Sequence, residues 1–401
     1  MVQLDSGHTA VASVPSGTST GKYEAHELRD GDSKRFMGQG VLKAVENVNQ
    51  KLGPSIIGSD PTKQFEIDQR LIGVDGSPDK SALGANSILS VSLACCRAGS
   101  MAANVPLHKW VYELAKTLGC VDATSPTRIP TPIFNMINGG LHGAGNLDFQ
   151  EFQVIPASSK PYSEALRISV EVYHAIAESL KRRGAIHSVG DEGGYAPNLF
   201  TNSDALAIDV EAIGSAGYQI GQDFFLGLDV AAATFYKDEK YSIRDRSSPL
   251  TNTSLISFFE ELVKEYRLII LEDALDYDDW VSWSQLTEKV GGGVLVVGDD
   301  LLATNPGRVQ LAIAKKACNT ILVKPNQIGT ITETLQVIKL ARVAGWKIIV
   351  SHRSGETNDF FIADFAVGVK ADFVKFGAPA RGERVAKYNR LLSIEAELAR
   401  R

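Results

Sequence analysis

Gly227-Leu-Asp229, Ile270-Leu-Glu272, Val297-Gly-Asp299, Leu322-Val-Lys324, Val350-Ser-His352-Arg353 and Val374-Lys375 decide the fold of this chain. Each closes a short apolar run on a charged or ionisable residue. Measured between those residues, the steps are 43, 27, 25, 28 and 23 residues, and most suit one strand, one helix and two loops. An α/β barrel gives this rhythm, because its strands point one way and their C-terminal ends meet in one mouth. The pattern predicts reactive side chains, distant in sequence, converging on one spot.

Working outward, helical periodicity falls between these runs at residues 254–266, 305–316 and 331–344. Upstream, 149–156 reads as a strand and 163–183 as a long amphipathic helix. The segment 121–132 is rich in Pro, Thr and Ser and marks a boundary. Before it, residues 2–5 and 9–14 read as two strands about a Ser6-Gly7 turn. The glycine- and hydroxyl-rich loop Ser16-Gly-Thr-Ser-Thr-Gly21 comes next, then helical patterns at 40–52, 62–71, 85–103 and 106–118. The expected architecture is α/β: a smaller α+β domain over 1–120, then a catalytic (αβ)8 TIM-like barrel over 121–401.

At 401 residues, with 44% hydrophobic and 22% charged residues, the composition is that of an ordinary globular protein. A net charge of −6 argues against a general attraction to nucleic acid or anionic membrane, so an anionic substrate needs a local cluster of positive charge. Cys95, Cys96, Cys120 and Cys318 show no framework or metal-ligand spacing and read as buried thiols. With no signal-peptide pattern and no bilayer-length apolar run, the cytoplasm is the expected location.

Asp229, Glu272 and Asp299 end three consecutive predicted strands. Hard oxygen ligands without histidine or cysteine suit Mg²⁺, and three in succession favour a metal site over helix caps or lysine partners. Lys324 follows an apolar run, where an ion pair is the ordinary role; beside divalent cations it becomes a candidate general base. Lys375 sits similarly one strand on. Together these residues suggest proton abstraction beside a carboxylate, with metal stabilising the enolate. Ser351-His352-Arg353-Ser354-Gly355 offers guanidinium, hydroxyl and backbone N–H groups for a phosphate. Glu192 in Gly190-Asp-Glu-Gly-Gly194, and His142 in its own glycine-rich loop, are weaker candidates. Glu151 is a charge within an apolar strand and needs a reason.

Val14-Pro-Ser-Gly-Thr-Ser-Thr-Gly21, Glu27-Leu-Arg-Asp-Gly-Asp32, Gly84-Ala-Asn-Ser-Ile-Leu89, Gly190-Asp-Glu-Gly-Gly194, Lys324-Pro-Asn-Gln-Ile-Gly329, Ser351-His-Arg-Ser-Gly-Glu-Thr357 and Gly377-Ala-Pro-Ala-Arg-Gly-Glu-Arg-Val-Ala-Lys-Tyr-Asn389 together resemble the enolase family over nearly the whole chain. The resemblance implies a homodimeric phosphopyruvate hydratase of glycolysis, acting on 2-phosphoglycerate with two Mg²⁺ ions. It implies Asp229, Glu272 and Asp299 as ligands of the first ion, and Ser19, on a mobile loop, as a ligand of the second. Lys324 would be the base and Glu192 the acid, with Glu151 nearby. Arg353 and Ser354 would take the phosphate, Lys375 the carboxylate, and His142 and His352 would order the closed site.

The family usually begins with a further strand and carries a longer C-terminal tail; their absence here implies an altered sheet edge and a weaker dimer. Ala274, Phe376, Ala380, Gly382 and Thr18 also depart from the family pattern, and none removes a group named above. The alternative reading is a catalytically impaired relative serving as a binding or structural protein.

Overall fold

The strand rhythm corresponds to a closed barrel of eight strands, seen in a computed structural model that describes residues 1–17, 21–143 and 145–400. The barrel strands are β1 (Thr131–Asn138), β2 (Glu151–Pro156), β3 (Phe224–Asp229), β4 (Leu268–Glu272), β5 (Leu295–Gly298), β6 (Thr320–Val323), β7 (Lys347–Ser351) and β8 (Phe373–Lys375). They close in chain order, with β8 pairing β1. Ile133, Ile155, Ile270, Val297, Leu322 and Ile349 point inward, one from each of six strands, and fill the barrel. The alternate side chains pack outward under the helices in a second, larger core.

One expectation is corrected. The strands do not all point one way: β2 runs antiparallel to both β1 and β3, whereas the other neighbours are parallel. The cause lies in the link before it. Among the described residues of 139–150 there is no α-helix, only the short 3₁₀ turn Gly140–His142. A parallel crossover usually needs a helix, while a turn suffices for reversal. The ladder continues into this link, where Gly139 N–H donates to Gln150 C=O at 2.9 Å and Gly140 N–H to Leu147 C=O at 3.0 Å. Glu151 thus stands at the start of its strand, yet at the same rim as Asp229, its partner across the ladder.

The reversal also changes where the route to β3 begins. β2 ends at the far rim beside the start of β3, Pro156 opposite Phe224, and the two helices between them, Tyr162–Arg182 and Asn202–Ser215, carry the chain out to the mouth and back. The second of these is an addition to the elements expected from the sequence. Its start is fixed by a reciprocal cap: Thr201 Oγ1 accepts from Asp204 N–H, and the Asp204 carboxylate accepts from Thr201 N–H. The connection between the two helices crosses the mouth, where Tyr195 exchanges backbone hydrogen bonds with Met136 and Asn138 of β1. This places Gly190–Gly194 over the barrel.

The N-terminal part is a two-stranded hairpin, Val2–Gln3 with Thr9–Ala10, followed by helices. These strands are shorter than expected. The helix expected at 40–52 is interrupted, with Leu42–Asn47 passing through a π turn at Val48–Leu52 into Gly53–Ile56. Helix Ala85–Ala102 is buried along most of its length. All four cysteines are free and buried, and burial pushes the Cys95 thiol up to about 12. Phe376 points away from the mouth and packs 6.0 Å from the Tyr388 ring.

The N-terminal part is joined to the barrel by buried polar contacts. Asp68 accepts from Thr332 N–H at 2.9 Å, Thr332 Oγ1 at 2.6 Å and Gln64 Nε2 at 2.9 Å. Lys80 pairs with Glu333 at 2.8 Å. Asp68→Ala would strand the Thr332 donors away from water, costing about 1–3 kcal/mol. A lower urea midpoint than wild type is expected, and an unchanged midpoint would contradict this role.

Candidate active site

Asp229 and Glu272 end β3 and β4, Lys375 ends β8, and Asp299, Lys324 and His352 directly follow β5, β6 and β7. All stand on the rim that the β2 reversal gives to Glu151. Lys375 Nζ lies 2.9 Å from Glu151 Oε2, 3.3 Å from Asp229 Oδ2, and 2.8 and 2.9 Å from the two Glu272 oxygens. Burial opposes the Lys375 charge, but the facing carboxylates outweigh it and hold the ammonium well above its ordinary range. Lys324 Nζ donates to Asp299 Oδ2 at 2.5 Å. There too burial opposes the charge and Asp299 raises the pKa. Both lysines are ammonium ions in this arrangement.

A second group gathers around Glu192. Asn135 Nδ2 donates to Glu192 Oε2 at 2.5 Å, and His142 Nδ1 lies 3.4 Å from Glu192 Oε1 and 3.8 Å from Glu151 Oε1. His352 approaches from the other side, its Nε2 3.5 Å from Glu192 Oε1. Arg384 donates to His352 Nδ1 at 2.8 Å, which leaves the ring proton on Nε2, facing Glu192. Burial, with Arg384 opposite, holds His352 well below its usual range, so the ring is neutral. The charge facing Glu192 is therefore that of His142, whose imidazolium resists burial because Glu192 and Glu151 raise its pKa to about 9. Burial works against the Glu192 charge, yet His142 keeps that carboxyl well below the usual range. Glu151 goes the other way: burial, only partly offset by Lys375, pushes it up to about 8. The pair divides into a charged Glu192 and a proton-bearing Glu151.

The third group is cationic. Arg384 donates at 2.6 Å to each of the carbonyls of Arg353 and Ser354, fixing the turn after β7. The Arg353 guanidinium donates to the two carboxylate oxygens of Glu24, at 2.9 and 3.1 Å. Together the groups line a cleft of about 270 Å³, which His142, Glu151, Glu192, Asp229, Asp299, Lys324, His352, Arg353, Ser354 and Lys375 all reach. Ser19 lies outside the described residues.

The expected metal ligands do not form one compact group. Among the described residues, two sets bring their ligand atoms within 4.8 Å of one another: His142 with Glu151 and Glu192, and Asp273 with Asp299 and Asp300. Asp229 and Glu272 are instead bridged by Lys375, and Asp299 is shared with Lys324. Asp273, at φ 43, accepts from the Asp299 and Asp300 amides at 3.0 and 2.7 Å and so shapes the turn after β5. Buried acids nonetheless outnumber the cations. Burial and Asp229 push Glu272 well above its range, and burial and Asp299 push Asp300 up to about 7. A surplus of hard, buried oxygen donors is the condition that a bound Mg²⁺ relieves, and the donor set fits such an ion.

Residues 1–111 match the family model described as Enolase, N-terminal domain, and residues 126–401 match Enolase, C-terminal TIM barrel domain. The chain belongs to the enolase family. Enolases typically use Mg²⁺, in keeping with the acidic donor set at this mouth. No single helix among the described residues is long and apolar enough to cross a membrane.

Sequence reasoning named the rim residues but missed Glu24, Asn135, Asp273, Asp300 and Arg384. Doubled acids at Glu272-Asp273 and Asp299-Asp300 were a visible signal. Arg384 lay inside the Gly377–Asn389 motif, but its partners were not visible there, and Asn135 and Glu24 carried no signal, since their roles come from partners far away in the chain.

The pKa of about 9 makes His142 a stabilising group whose effect has a definite direction in pH. Its folded value exceeds the ordinary 6.5, so stabilisation is complete below about pH 6.5 and is lost as pH rises through about 9. The shift corresponds to about 3 kcal/mol. An NMR titration of the His142 ring should give a midpoint well above 7, and a midpoint near 6.5 would contradict the Glu192 contact.

Proposed function

We propose that this chain interconverts 2-phosphoglycerate and phosphoenolpyruvate with loss of water. The observation that carries the proposal is the division of the mouth into three chemically distinct groups around one small cleft. Lys324, paired with Asp299, follows β6, a charged Glu192 and a proton-bearing Glu151 lie beside β1, and an arginine clamp follows β7.

Each group answers one demand of the reaction. The C2 proton of 2-phosphoglycerate is weakly acidic, because its loss puts a second negative charge on an ionised carboxylate. Lys324 is assigned to take that proton and must first shed its own. Asp229, Glu272 and Asp299 would hold a first Mg²⁺ ion and Ser19 would help hold a second, and the two would supply the positive charge that stabilises the enolate; a lysine base with Mg²⁺ is the general pattern for this superfamily. The Lys375 ammonium suits the substrate carboxylate.

Departure of the C3 hydroxide requires a proton from elsewhere. Glu192 is the residue assigned to deliver it, but its charged state here means that the proton is drawn from the Glu151–Glu192–His142 group as a whole. Arg353 and Ser354 are assigned the phosphate, Arg353 through its planar fork. His352, neutral and oriented by Arg384, offers Nε2–H toward Glu192.

The test monitors phosphoenolpyruvate formation from 2-phosphoglycerate by ultraviolet absorbance, with Mg²⁺ and then with excess chelator. Turnover should require the metal and fall by roughly 10²–10⁴-fold in Lys324→Ala, the usual weight of a general base. Folded, Mg²⁺-saturated protein with no turnover would sink the proposal in favour of an enolase-shaped binding protein. Full activity in Lys324→Ala would remove the base assignment alone.

A further inference from the structure

The phosphate clamp does not wait for its ligand without an anion. Arg353 and Glu24 form a two-pronged ion pair in which each side chain is only 5% exposed. Glu24 belongs to the N-terminal part, not to the barrel. Its carboxylate is aimed from its own side as well, since Gly21 N–H donates to Glu24 Oε1 at 2.9 Å. The barrel side is fixed by the Arg384 bonds to the Arg353 and Ser354 carbonyls. Two further backbone bonds join Ser16 and Gly355, at 2.9 and 2.8 Å.

A guanidinium presents the same parallel N–H donors to a carboxylate and to a phosphate. A buried guanidinium is costly without an anion, and Glu24 supplies one. We infer that Glu24 is an internal competitor at the phosphate subsite, so that a ligand engages Arg353 only by displacing a carboxylate already seated there. The inference rests on the assignment of phosphate to Arg353 and adds a residue that governs selectivity for it. A monoanionic carboxylate gains little by exchanging with an equivalent group. A phosphate dianion carries more charge to the same fork and wins the exchange. Glu24 therefore costs absolute affinity and sharpens the preference for a dianionic phosphate over other small anions.

The test titrates inorganic phosphate into the full chain by calorimetry, comparing wild type, Glu24→Gln and Arg353→Gln. Glu24→Gln should tighten phosphate binding about tenfold, within the 5–150-fold span of ordinary coupling free energies. It should also narrow the margin between phosphate and acetate, and lower KM for 2-phosphoglycerate more than it changes kcat. A merely structural role for Glu24 would not tighten binding. Equal or weaker phosphate binding by Glu24→Gln, with binding lost in Arg353→Gln, overturns the competition while leaving the phosphate assignment standing. Wild-type phosphate affinity in Arg353→Gln overturns both. Should Glu24→Gln not fold, Glu24→Asp keeps the charge but is too short to span the fork as Glu24 does. Phosphate should then raise its melting temperature more than that of wild type, and an equal or smaller rise would count against the inference.

Discussion

The mouth of this barrel depends on the ammonium of Lys375. It reaches from the end of β8 to carboxylates on β2, β3 and β4, and every partner in the cluster is buried. Three carboxylates placed so close, without a cation among them, would repel one another and take up protons. Lys375 makes their proximity tolerable, though it does not cancel their charge. Removing one partner from such a cluster leaves an uncompensated buried charge, which costs far more than a surface ion pair contributes. The contact also requires the β2 reversal, because only a strand entering from this rim can bring Glu151 within reach.

The proton distribution has its origin in the same surplus of acid. Where a cation is close, as His142 is to Glu192 and Lys324 to Asp299, the carboxyl stays charged. Where burial outweighs the cations, as at Glu151 and Glu272, the carboxyl is pushed upward, at Glu151 to about 8. The mouth thus places a proton on Glu151 close to Glu192, and Asp299 keeps Lys324 an ammonium ion. The Glu24–Arg353 pair shows the same economy at the third subsite, where a buried charge is matched by an internal partner that a ligand can replace.

Much of this was legible in the sequence because a barrel converts linear spacing into convergence. The ends of β3 to β8 were visible as apolar runs closing on reactive residues, and the motifs around Glu192, Lys324 and Arg353 carried the family resemblance. The direction of β2 was not legible, since Glu151–Pro156 reads as a strand from either end; the evidence for reversal lay in the glycine-rich link before it. The helix Asn202–Ser215 was missed too, because a second helix between two neighbouring strands breaks the one-strand, one-helix rhythm. Asn135, Glu24 and Arg384 escaped for a different reason. Nothing beside them in sequence names their partners, which lie 57, 329 and 32 positions away.

The proposed chemistry has Lys324 and Glu192 acting on different bonds of one substrate. The most direct measurement is exchange of the C2 proton of 2-phosphoglycerate in D₂O, monitored by NMR in wild type, Lys324→Ala and Glu192→Gln with Mg²⁺ present. Exchange should vanish in Lys324→Ala and persist in Glu192→Gln while phosphoenolpyruvate formation fails. Exchange that survives the loss of Lys324, or disappears together with dehydration when Glu192 is changed, would contradict this division of labour.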